Sequence, residues 1–224
     1  MKKELHVDGL TVTAETKRIK HIYLRVLPPD GRVQMSAPLH TASERLISFV
    51  RERREWIDRQ RTVCLVAPCQ YETGETVPLW GEELRLTLRA GRGGVHRMPD
   101  GLLLSAPANA DKENRARILS AFYREELCAA VERMIEDCMR QSGARASEWR
   151  IRDMKTRWGS CNVEKRRIWL NLHLAEKAPD CLRYVLLHEL CHLHEHGHGK
   201  AFWARMDACC PDWRAIRKRL NGKD

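Results

Sequence analysis

The amino-acid sequence predicts an α+β fold, in which a C-terminal part with a histidine-bearing helix beside a small antiparallel sheet is preceded by a β-hairpin and helix scaffold. Two observations lead to this prediction. A strand-turn-strand-helix pattern occurs twice in the first 142 residues. A bounded helix with two histidines four residues apart follows two short strands near the C-terminal end. With 224 residues, the chain is long enough for one sizeable core, or for a small domain docked on a larger one.

The first half of the chain contains an internal repeat. Asp30 to Pro38 reads Asp-Gly-Arg-Val-Gln-Met-Ser-Ala-Pro, and Asp100 to Pro107 reads Asp-Gly-Leu-Leu-Leu-Ser-Ala-Pro. In each copy the Asp-Gly pair predicts a hairpin turn that leads into a strand ending at Ala-Pro. Strands are expected upstream of these turns, at residues 21–27 and 84–89. Helices are expected downstream of them, at residues 41–61 and 112–142. Two copies of such a unit indicate a scaffold rather than a second functional site.

The predicted junction between scaffold and C-terminal part lies at Gln141 to Ala144. It divides the chain into an N-terminal scaffold of residues 1–142 and a C-terminal domain of residues 143–224. Beyond the junction, two short segments rich in tryptophan and isoleucine flank a turn at Gly159. These segments are predicted strands, at residues 149–154 and 168–172.

A bounded helix carries the most informative residues of the chain. Pro179 suits its first turn, and Gly197 suits a cap at its C-terminal end. Apolar residues recur at helical spacing and predict a buried stripe: Leu182, Val185, Leu186, Leu190 and Leu193. His188 and His192 lie well round from that stripe, as a site that faces a cleft requires.

The string His188-Glu189-Leu190-Cys191-His192 predicts a metal site. Residues four apart share one face of a helix, so His188 and His192 can both offer an imidazole to one Zn²⁺. Glu189 follows the first histidine, where a hydrolytic zinc site of this type carries its general base. A catalytic zinc usually takes three protein ligands, which leaves one ligand to be found.

Three further histidines are candidates for the third ligand: His194, His196 and His198. On a continuing helix His196 would lie about 12 Å along the axis from His188, too far to share one ion. The third ligand must therefore come from chain that has turned back, and Gly197 permits such a turn at positive φ. This favours His198, whereas His194 or His196 would take the place if the turn came earlier.

The spacing from His188 to His198 is also that of the metzincin pattern, H-E-x-x-H-x-x-G-x-x-H. That pattern requires a glycine at the position of Glu195. Glutamate is a poor substitute where the chain turns sharply, so the match is incomplete. A helix is expected directly after this stretch, at residues 200–209, with Phe202 packing to fix the third ligand and Trp203 beside it.

An ordered set of motifs resembles the YgjP-like family of predicted metal-dependent hydrolases, a relative of the SprT-like zincins. The motifs are Lys155-Thr156-Arg157-Trp158-Gly159-Ser160-Cys161, Ile168-Trp169-Leu170-Asn171, Tyr184-Val185 before His188, and His198 with Phe202-Trp203. The resemblance is densest from about residue 150 to 213. It implies a zincin-like catalytic domain with zinc on His188, His192 and His198 and with Glu189 as base. Gly199 departs from the pattern, because relatives often carry a serine there.

The chain is basic, with a formal net charge of +10 and an isoelectric point near 9.3, which favours anionic partners, nucleic acid included. Eight of the basic residues lie between residues 145 and 167, against three acidic ones. The resemblance places this cluster near the metal. Lys155 and Arg157 are the residues predicted to reach substrate. The others fit the solvated outer face of a hairpin equally well.

Neither a signal peptide nor a membrane span is expected. Met1-Lys2-Lys3 leads into polar sequence without an apolar signal core, and no apolar run approaches the length of a membrane span. The nine cysteines are scattered and odd in number, which fits reduced thiols. A cytoplasmic protein without a membrane partner is therefore expected.

Three functions remain open at this point. The first is a zinc-dependent, metallopeptidase-like hydrolase that uses a zinc-activated water with Glu189 as base, aided by Arg157. The second is a nucleoside triphosphate pyrophosphatase, a phosphoanhydride hydrolase, which the basic cluster and the family resemblance favour. The third is a nucleic-acid-associated, SprT-like protease. No P-loop and no zinc-finger spacing occurs in the sequence, and the substrate is expected to be a peptide or a nucleotide.

Overall fold

The computed structural model describes residues 2–27, 30–65 and 69–222. The chain forms two compact units, Met1–Pro68 and Cys69–Asp224. Each unit has a hydrophobic core of its own, built from residues of that unit alone. The boundary between the units therefore differs from the predicted junction at residue 142.

The first unit is a four-stranded sheet followed by two helices. Its strands are β1 (Lys2–Val7), β2 (Leu10–Lys17), β3 (Tyr23–Leu27) and β4 (Arg32–Pro38), and its helices are α1 (Ser43–Arg51) and α2 (Arg54–Leu65). The sheet order is β1-β2-β4-β3, in which β2 and β4 run parallel and the other pairs antiparallel. The single helix predicted at 41–61 is thus two helices, because a tighter hydrogen bond from Arg53 N to Val50 O interrupts it. Neither glycine nor proline marks this break in the sequence.

The second unit begins with the same arrangement. Its first strands are β5 (Thr76–Leu79), β6 (Glu82–Ala90), β7 (Gly94–Met98) and β8 (Gly101–Ala106). They pair in the order β5-β6-β8-β7, with β6 and β8 parallel. The predicted repeat is therefore confirmed as a repeated topology. The strand predicted at 84–89 is part of β6, and the hairpin strand β7 escaped prediction because it is polar and mostly exposed.

Helix α3 (Lys112–Ser142) has the predicted bounds. Asp111 caps it by accepting a hydrogen bond from Asn114 N at 2.8 Å, and Gly143 ends it in the left-handed conformation at φ 68°. Its buried face packs on the later helix that carries the histidines, within one continuous core. This is why the unit boundary lies before α3 and not after it.

The remaining elements surround the histidine motif. They are β9 (Glu148–Arg152), β10 (Gly159–Asn162), β11 (Arg167–Asn171), a 3-10 turn (Leu172–Glu176), α4 (Pro179–Cys191), α5 (Lys200–Cys209) and α6 (Trp213–Leu220). The strand order is β10-β11-β9, with β10 antiparallel to β11 but β9 parallel to it. The predicted antiparallel sheet is therefore a mixed sheet. The loop of residues 153–158 connects β9 to β10 across the position of β11, which lies between these two strands. The turn predicted at Gly159 is therefore the strand β10.

None of the helices in the described ranges has the length and apolar character that a membrane crossing would need. The longest is α3, with 31 residues, and charged side chains recur along it. Its apolar side lies in the core of the second unit, and its polar side is exposed.

Candidate metal centre

Helix α4 places the first two histidines. It begins at Pro179, which suits a first helical position because it has no backbone N–H to leave unpaired. The helix is buried on most of its surface, and His188 lies in its last turn. His192 is the C-terminal cap residue and still has helical dihedral angles, φ −65° and ψ −16°. The two imidazole centroids are consequently 4.9 Å apart, as the four-residue spacing predicts.

The chain reverses directly after His192, earlier than predicted. Helix α4 ends at Cys191, and Gly197 is not among the residues with positive φ. The reversal is made instead by backbone hydrogen bonds from His194 N and Glu195 N to Cys191 O. Gly197 is therefore not the cap of this helix. A hydrogen-bonded turn needs no positive φ here, because the last helical carbonyls supply its acceptors.

His198 is the histidine that the turn brings back to the pair. Its Nε2 lies 3.0 Å from His188 Nε2, and the potential ligand nitrogens of His188, His192 and His198 all lie within 4.8 Å of one another. Within the described ranges these three side chains form the group that could hold a metal ion. His196 lines the adjoining cavity without joining the group, and His194 is exposed.

Two aromatic residues of α5 form a wall behind the imidazoles. Phe202 is fully buried, and its ring centroid lies 4.6 Å from that of His192, 4.8 Å from that of His198 and 4.9 Å from that of His188. Trp203 stacks on His198 with centroids 5.5 Å apart and planes inclined by 24°. Packing against these rings restricts the rotation of each imidazole. Phe202 thus occupies the position that the sequence predicts for it.

The backbone orients His192. Its Nδ1 donates to the carbonyl oxygen of Glu195 at 3.0 Å, which leaves the Nε2 lone pair free for a ligand. His188 Nδ1, in contrast, is buried and has no hydrogen-bond partner among the described residues. The orientation of His188 therefore comes from its ring contacts.

The environment favours the neutral form of two of the histidines, His188 and His198. Burial, reinforced by His192, His198 and Arg217, lowers the pKa of His188 to about 3. Burial also lowers the pKa of His198, and the same charges on His192 and Arg217 act in that direction. Neutral imidazoles have the lone pair that a metal ion requires.

One pair of the nitrogens already has a separation close to that of zinc ligands, and all three lie within 4.8 Å of one another. Tetrahedral Zn²⁺ with Zn–N bonds of about 2.0–2.1 Å holds neighbouring nitrogens about 3.3 Å apart. The observed separation of 3.0 Å between the Nε2 atoms of His188 and His198 is close to this value. A set of three neutral imidazoles is also a donor set that zinc favours.

Glu189 lies beside the histidines and is almost completely buried, with 5% of its surface exposed. Burial raises its pKa to about 8, and the positive charge of Arg157 acts against that shift. Its side chain packs against the backbone of β10 at Gly159. A β-carbon at residue 159 would stand 2.7 Å from Glu189 Oε1 and 2.9 Å from Val185 Cγ1, so only glycine permits this approach.

The loop before β10 is held by Asn171. This buried amide donates from Nδ2 to the carbonyl oxygens of Met154 at 2.8 Å and Arg157 at 2.7 Å. Its Oδ1 accepts from Met154 N at 3.3 Å and from His173 N at 3.2 Å. The backbone N–H of Asn171 also donates to Trp158 O at 2.9 Å. The side chain therefore fixes the stretch that carries Arg157.

The two predicted substrate residues line one cavity together, but of the two only Arg157 also lines the cavities at the histidines. Arg157 lines two cavities, of about 380 and 390 Å³, that meet at His188, Glu189 and His198. Together these cavities form what we call the cleft. Lys155 lines a neighbouring cavity that none of the three histidines lines.

Most of the other basic residues of the 145–167 cluster pair locally. Arg150 and Arg167 both form ion pairs with Glu148, and the Arg166 guanidinium donates to the carbonyl oxygen of Arg145. These contacts link β9 to β11 and to the turn before β11, and none of the residues that make them lines the cleft. The structure thus supports the interpretation of these residues as an outer hairpin face.

Residues 20–223 match the family profile described as YgjP-like, metallopeptidase domain. The chain belongs to the YgjP-like family. Membership identifies it as a metal-dependent hydrolase of the metallopeptidase type, in agreement with the resemblance of its sequence motifs. A comparison with curated proteins gave no match.

Two solved structures are similar to part of this YgjP-like chain. One is the metallopeptidase zymogen of Pyrococcus abyssi abylysin, with 24% identity and a TM-score of 0.39 over 42% of this chain and 93% of that chain. The other is the metallopeptidase zymogen of Methanocaldococcus jannaschii jannalysin, with 20% identity and a TM-score of 0.38 over 42% of this chain and 89% of that chain. Each match covers less than half of the chain.

Three features of this YgjP-like site escaped sequence analysis. The carbonyl oxygen of Glu195 orients His192, the amide of Asn171 holds the loop of Arg157, and helix α6 brings Arg217 to the cleft. Asn171 stands in one of the quoted motifs, so a signal for it was present. No sequence signal pointed to the other two, because a backbone carbonyl has no side-chain signature and α6 is distant from the motifs.

Proposed function

We propose that the chain is a zinc-dependent peptidase in which His188, His192 and His198 bind Zn²⁺ and Glu189 acts as the general base. The observation that carries this proposal is the convergence of three imidazoles beside a buried carboxylate. The separation of the His188 and His198 nitrogens, close to that of zinc ligands, supports the choice of metal. A peptidase of this type needs an ion site, a base and room for a substrate, and the three histidines, Glu189 and the volume of the cleft support each of these assignments.

When bound in such a site, Zn²⁺ lowers the pKa of water to about 7 and polarises the scissile carbonyl group as a Lewis acid. Glu189 accepts the proton of the attacking water at a carboxylate oxygen and passes it to the leaving nitrogen. The ionised form is needed for the first step, and the charge of Arg157 favours it against burial. Gly159 keeps the carboxylate beside the strand, and Arg157 stabilises negative charge that develops in the cleft.

Strand β10 is suited to hold the substrate. It lies at the edge of its sheet, with β11 as its strand partner, and Gly159, Ser160 and Cys161 line the cleft. An edge strand can bind an extended peptide through main-chain hydrogen bonds, which requires no particular side-chain sequence. Burial, with the charge of Glu189, raises the pKa of the Cys161 thiol to about 11, so this thiol stays protonated and does not compete as a nucleophile.

The test compares Glu189→Gln with the parent on quenched fluorogenic peptides and on nucleoside triphosphates, with zinc and with chelator. We expect zinc-dependent peptide cleavage by the parent, and a loss of kcat of about 100- to 10,000-fold in the variant, because the base is removed. Zinc stoichiometry should stay at that of the parent, since the ligands are unchanged. Glu164→Gln makes the same chemical change in an exposed turn outside the cleft and is the control. Full turnover by a zinc-loaded Glu189→Gln protein would contradict the mechanism.

A nucleoside triphosphate pyrophosphatase is the second candidate, favoured by the guanidinium of Arg157 in the cleft. Enzymes that cleave phosphoanhydrides usually hold Mg²⁺ through several carboxylates. Glu189 is the carboxylate among the described residues that line the cleft. This is why we rank the peptidase first. Phosphate release in the triphosphate arm of the same assay, lost in Arg157→Ala, would reverse the ranking.

We also propose a nucleic acid as a partner of the chain. The basic charge of the chain suits an anionic partner, and a nucleic acid would bring an SprT-like protease to protein substrates bound on it. Lys155 is exposed and lies outside the cleft, where it remains available to such a partner. Salt-dependent binding of a labelled duplex, weakened in Lys155→Gln, would support this proposal.

A further inference from the structure

The part of the cleft next to helix α6 is lined by two guanidinium groups. Arg157 approaches from the loop before β10, and Arg217 approaches from α6, on the cavity of about 390 Å³ that also borders His188, Glu189 and His198. The two arginines belong to elements 60 residues apart in sequence, and the fold brings them to one cavity beside the metal ligands. Tyr184 and Leu220 supply apolar surface to the same cavity.

Neither arginine forms an ion pair within the described ranges, although the charge of Arg157 acts at longer range on Glu189. Both side chains are exposed, although other arginines of the described ranges do form ion pairs. Arg217 on the same helix contrasts with Arg214 and Arg219, which pair with Asp207 and Asp180. Because neither guanidinium group is held in an ion pair, both are available for an anion that comes from outside.

Packing holds Arg217 in place without neutralising it. Its guanidinium carbon lies 5.5 Å from the ring centroid of Trp203, which in turn stacks on His198. Trp203 also stacks on Trp213, with centroids 4.2 Å apart, so the aromatic support is itself fixed. Arg217 is thus positioned by the same wall that positions the third histidine. An ordered guanidinium loses less entropy on binding a carboxylate than a free one would.

The charge of the cleft is one-sided. Glu189 is the acidic residue among those that line its two cavities, whereas Arg157 and Arg217 are permanently charged. Low-dielectric walls strengthen the field of such groups, and complementary charge selects between otherwise similar ligands. The second cavity, of about 380 Å³, has Arg157 but not Arg217, so the two sides of the metal site differ.

We propose that the cavity beside α6 is an anion subsite, in which Arg217 together with Arg157 binds a carboxylate of the peptide substrate on one side of the scissile bond. This inference rests on the proposed peptidase function. It assigns a substrate preference, for peptides with an acidic residue on that side, and it assigns Arg217 as the residue that determines the preference.

The first experiment measures kcat/KM for matched fluorogenic peptides that carry glutamate or glutamine at each of three positions on either side of the cut. We expect the kcat/KM of the zinc-loaded parent to be about tenfold or more higher for the glutamate peptide than for the glutamine peptide, on one side of the cut. Hydrogen bonds to a charged group are strong enough to produce such a ratio. In Arg217→Gln the preference should fall to within about twofold, and Arg217→Lys should retain part of it, because lysine keeps the charge without the fork. Lys218→Gln removes a neighbouring charge outside the cavity and should behave as the parent.

The second experiment measures binding alone, by fluorescence anisotropy of the same labelled peptides on zinc-loaded Glu189→Gln protein with and without Arg217→Gln. Acid-selective binding that depends on Arg217 supports the subsite even if no peptide is cleaved, in which case the peptidase proposal fails and the subsite stands. Cleavage without any difference between glutamate and glutamine peptides overturns the subsite and leaves the peptidase proposal intact. Equal binding of the two peptides in the anisotropy measurement overturns it as well.

Discussion

His192 shows how the site depends on single atoms. Its position on the helix places the ring, but the carbonyl oxygen of Glu195 decides which ring nitrogen faces the other histidines. The metzincin pattern has glycine at this position, whereas here the glutamate carboxylate pairs with Arg205 at 3.6 Å. Glu195 contacts His192 through its backbone carbonyl oxygen and not through its side chain. Replacing the glycine of the pattern by glutamate therefore leaves the orientation of His192 unchanged.

The third ligand gives a direct prediction for metal binding. We expect His198→Ala to weaken zinc binding by more than about 100-fold, because the loss of even an outer partner of a ligand costs about 10- to 100-fold. His194→Ala removes an exposed imidazole outside the cluster and should leave the affinity unchanged. Competition with a chromogenic chelator measures both affinities. Parent-like affinity of His198→Ala together with a loss in His194→Ala would place the third ligand at residue 194.

Glu189 predicts a pH dependence for the metal-free protein. Its pKa is raised to about 8 in the folded state, so between the ordinary glutamate pKa of 4.5 and pH 8 the unfolded state has lost a proton that the folded state keeps. The free energy of unfolding therefore falls as pH rises through this window, by at most about 1.4 kcal/mol per pH unit. His188 acts in the opposite sense, but only below pH 6.5, because its pKa is lowered from that value to about 3.

Urea denaturation between pH 6.5 and pH 8 in the presence of a chelator isolates this contribution. The parent should lose stability relative to Glu189→Gln as the pH rises, since glutamine has no proton to release. Glu164→Gln controls for the removal of one carboxylate and should keep the slope of the parent. Parallel stability curves for the parent and Glu189→Gln would show that Glu189 titrates at its ordinary pKa in the folded protein.

Among the elements, β10 and α4 make a close contact at the site. The backbone at Gly159 touches the side chains of Val185 and Glu189, one turn apart on α4. This contact sets the distance between the strand that borders the cleft and the helix that carries the base. The sequence predicts a turn at Gly159, whereas the structure has the strand β10 there, because this short segment pairs with β11.

Gly159→Ala is expected to disturb both stability and turnover. The new methyl group would overlap Glu189 and Val185 at 2.7–2.9 Å, and overpacking of this kind typically costs about 1–3 kcal/mol. Peptide cleavage should fall further than stability alone explains, because the carboxylate of the base must move. Gly197→Ala is the matched control, since no atom lies within 4 Å of a β-carbon at that position. Thermal melts and kcat are measured for the parent, Gly159→Ala and Gly197→Ala. A Gly159→Ala protein with the melting temperature and kcat of the parent would exclude the close contact of Gly159 with Glu189.

At the scale of the whole molecule, α3 joins the repeated scaffold to the catalytic elements. It follows β8 as the helix of the second repeat, yet its face with Leu119, Leu127 and Val131 belongs to the core that also buries α4. The second copy of the repeat has thus become part of the unit that carries the metal site. The first copy has a separate core of its own.

Two fragments test this division. A fragment of residues 69–224 is expected to melt cooperatively and to bind one zinc ion, because its core is complete. A fragment of residues 143–224, which follows the predicted junction, should do neither, because it exposes the apolar face of α4 that α3 covers. Differential scanning calorimetry with and without zinc measures both properties. Cooperative melting of the shorter fragment would restore the boundary at residue 142.

Much of the fold could be predicted from local signals. The bounds of α3 and α5, the start of α4 and the two Asp-Gly hairpins follow from capping residues and apolar spacing, which act within one turn or one hairpin. The polar strand β7, the short strand β10 and helix α6 gave no comparable signal. Their structure depends on partners that are distant in sequence, so periodicity alone could not predict them.

The sequence by itself determined the pair His188 and His192 and the position of Glu189, because a four-residue spacing on a helix is a local geometric relation. The tertiary structure decided that His198 joins the pair, through a turn after Cys191 and the packing of Phe202. It also decided that the sheet is mixed and that Arg217 borders the cleft. These features arise from contacts between segments far apart in the chain, and such contacts form only when the whole core is assembled.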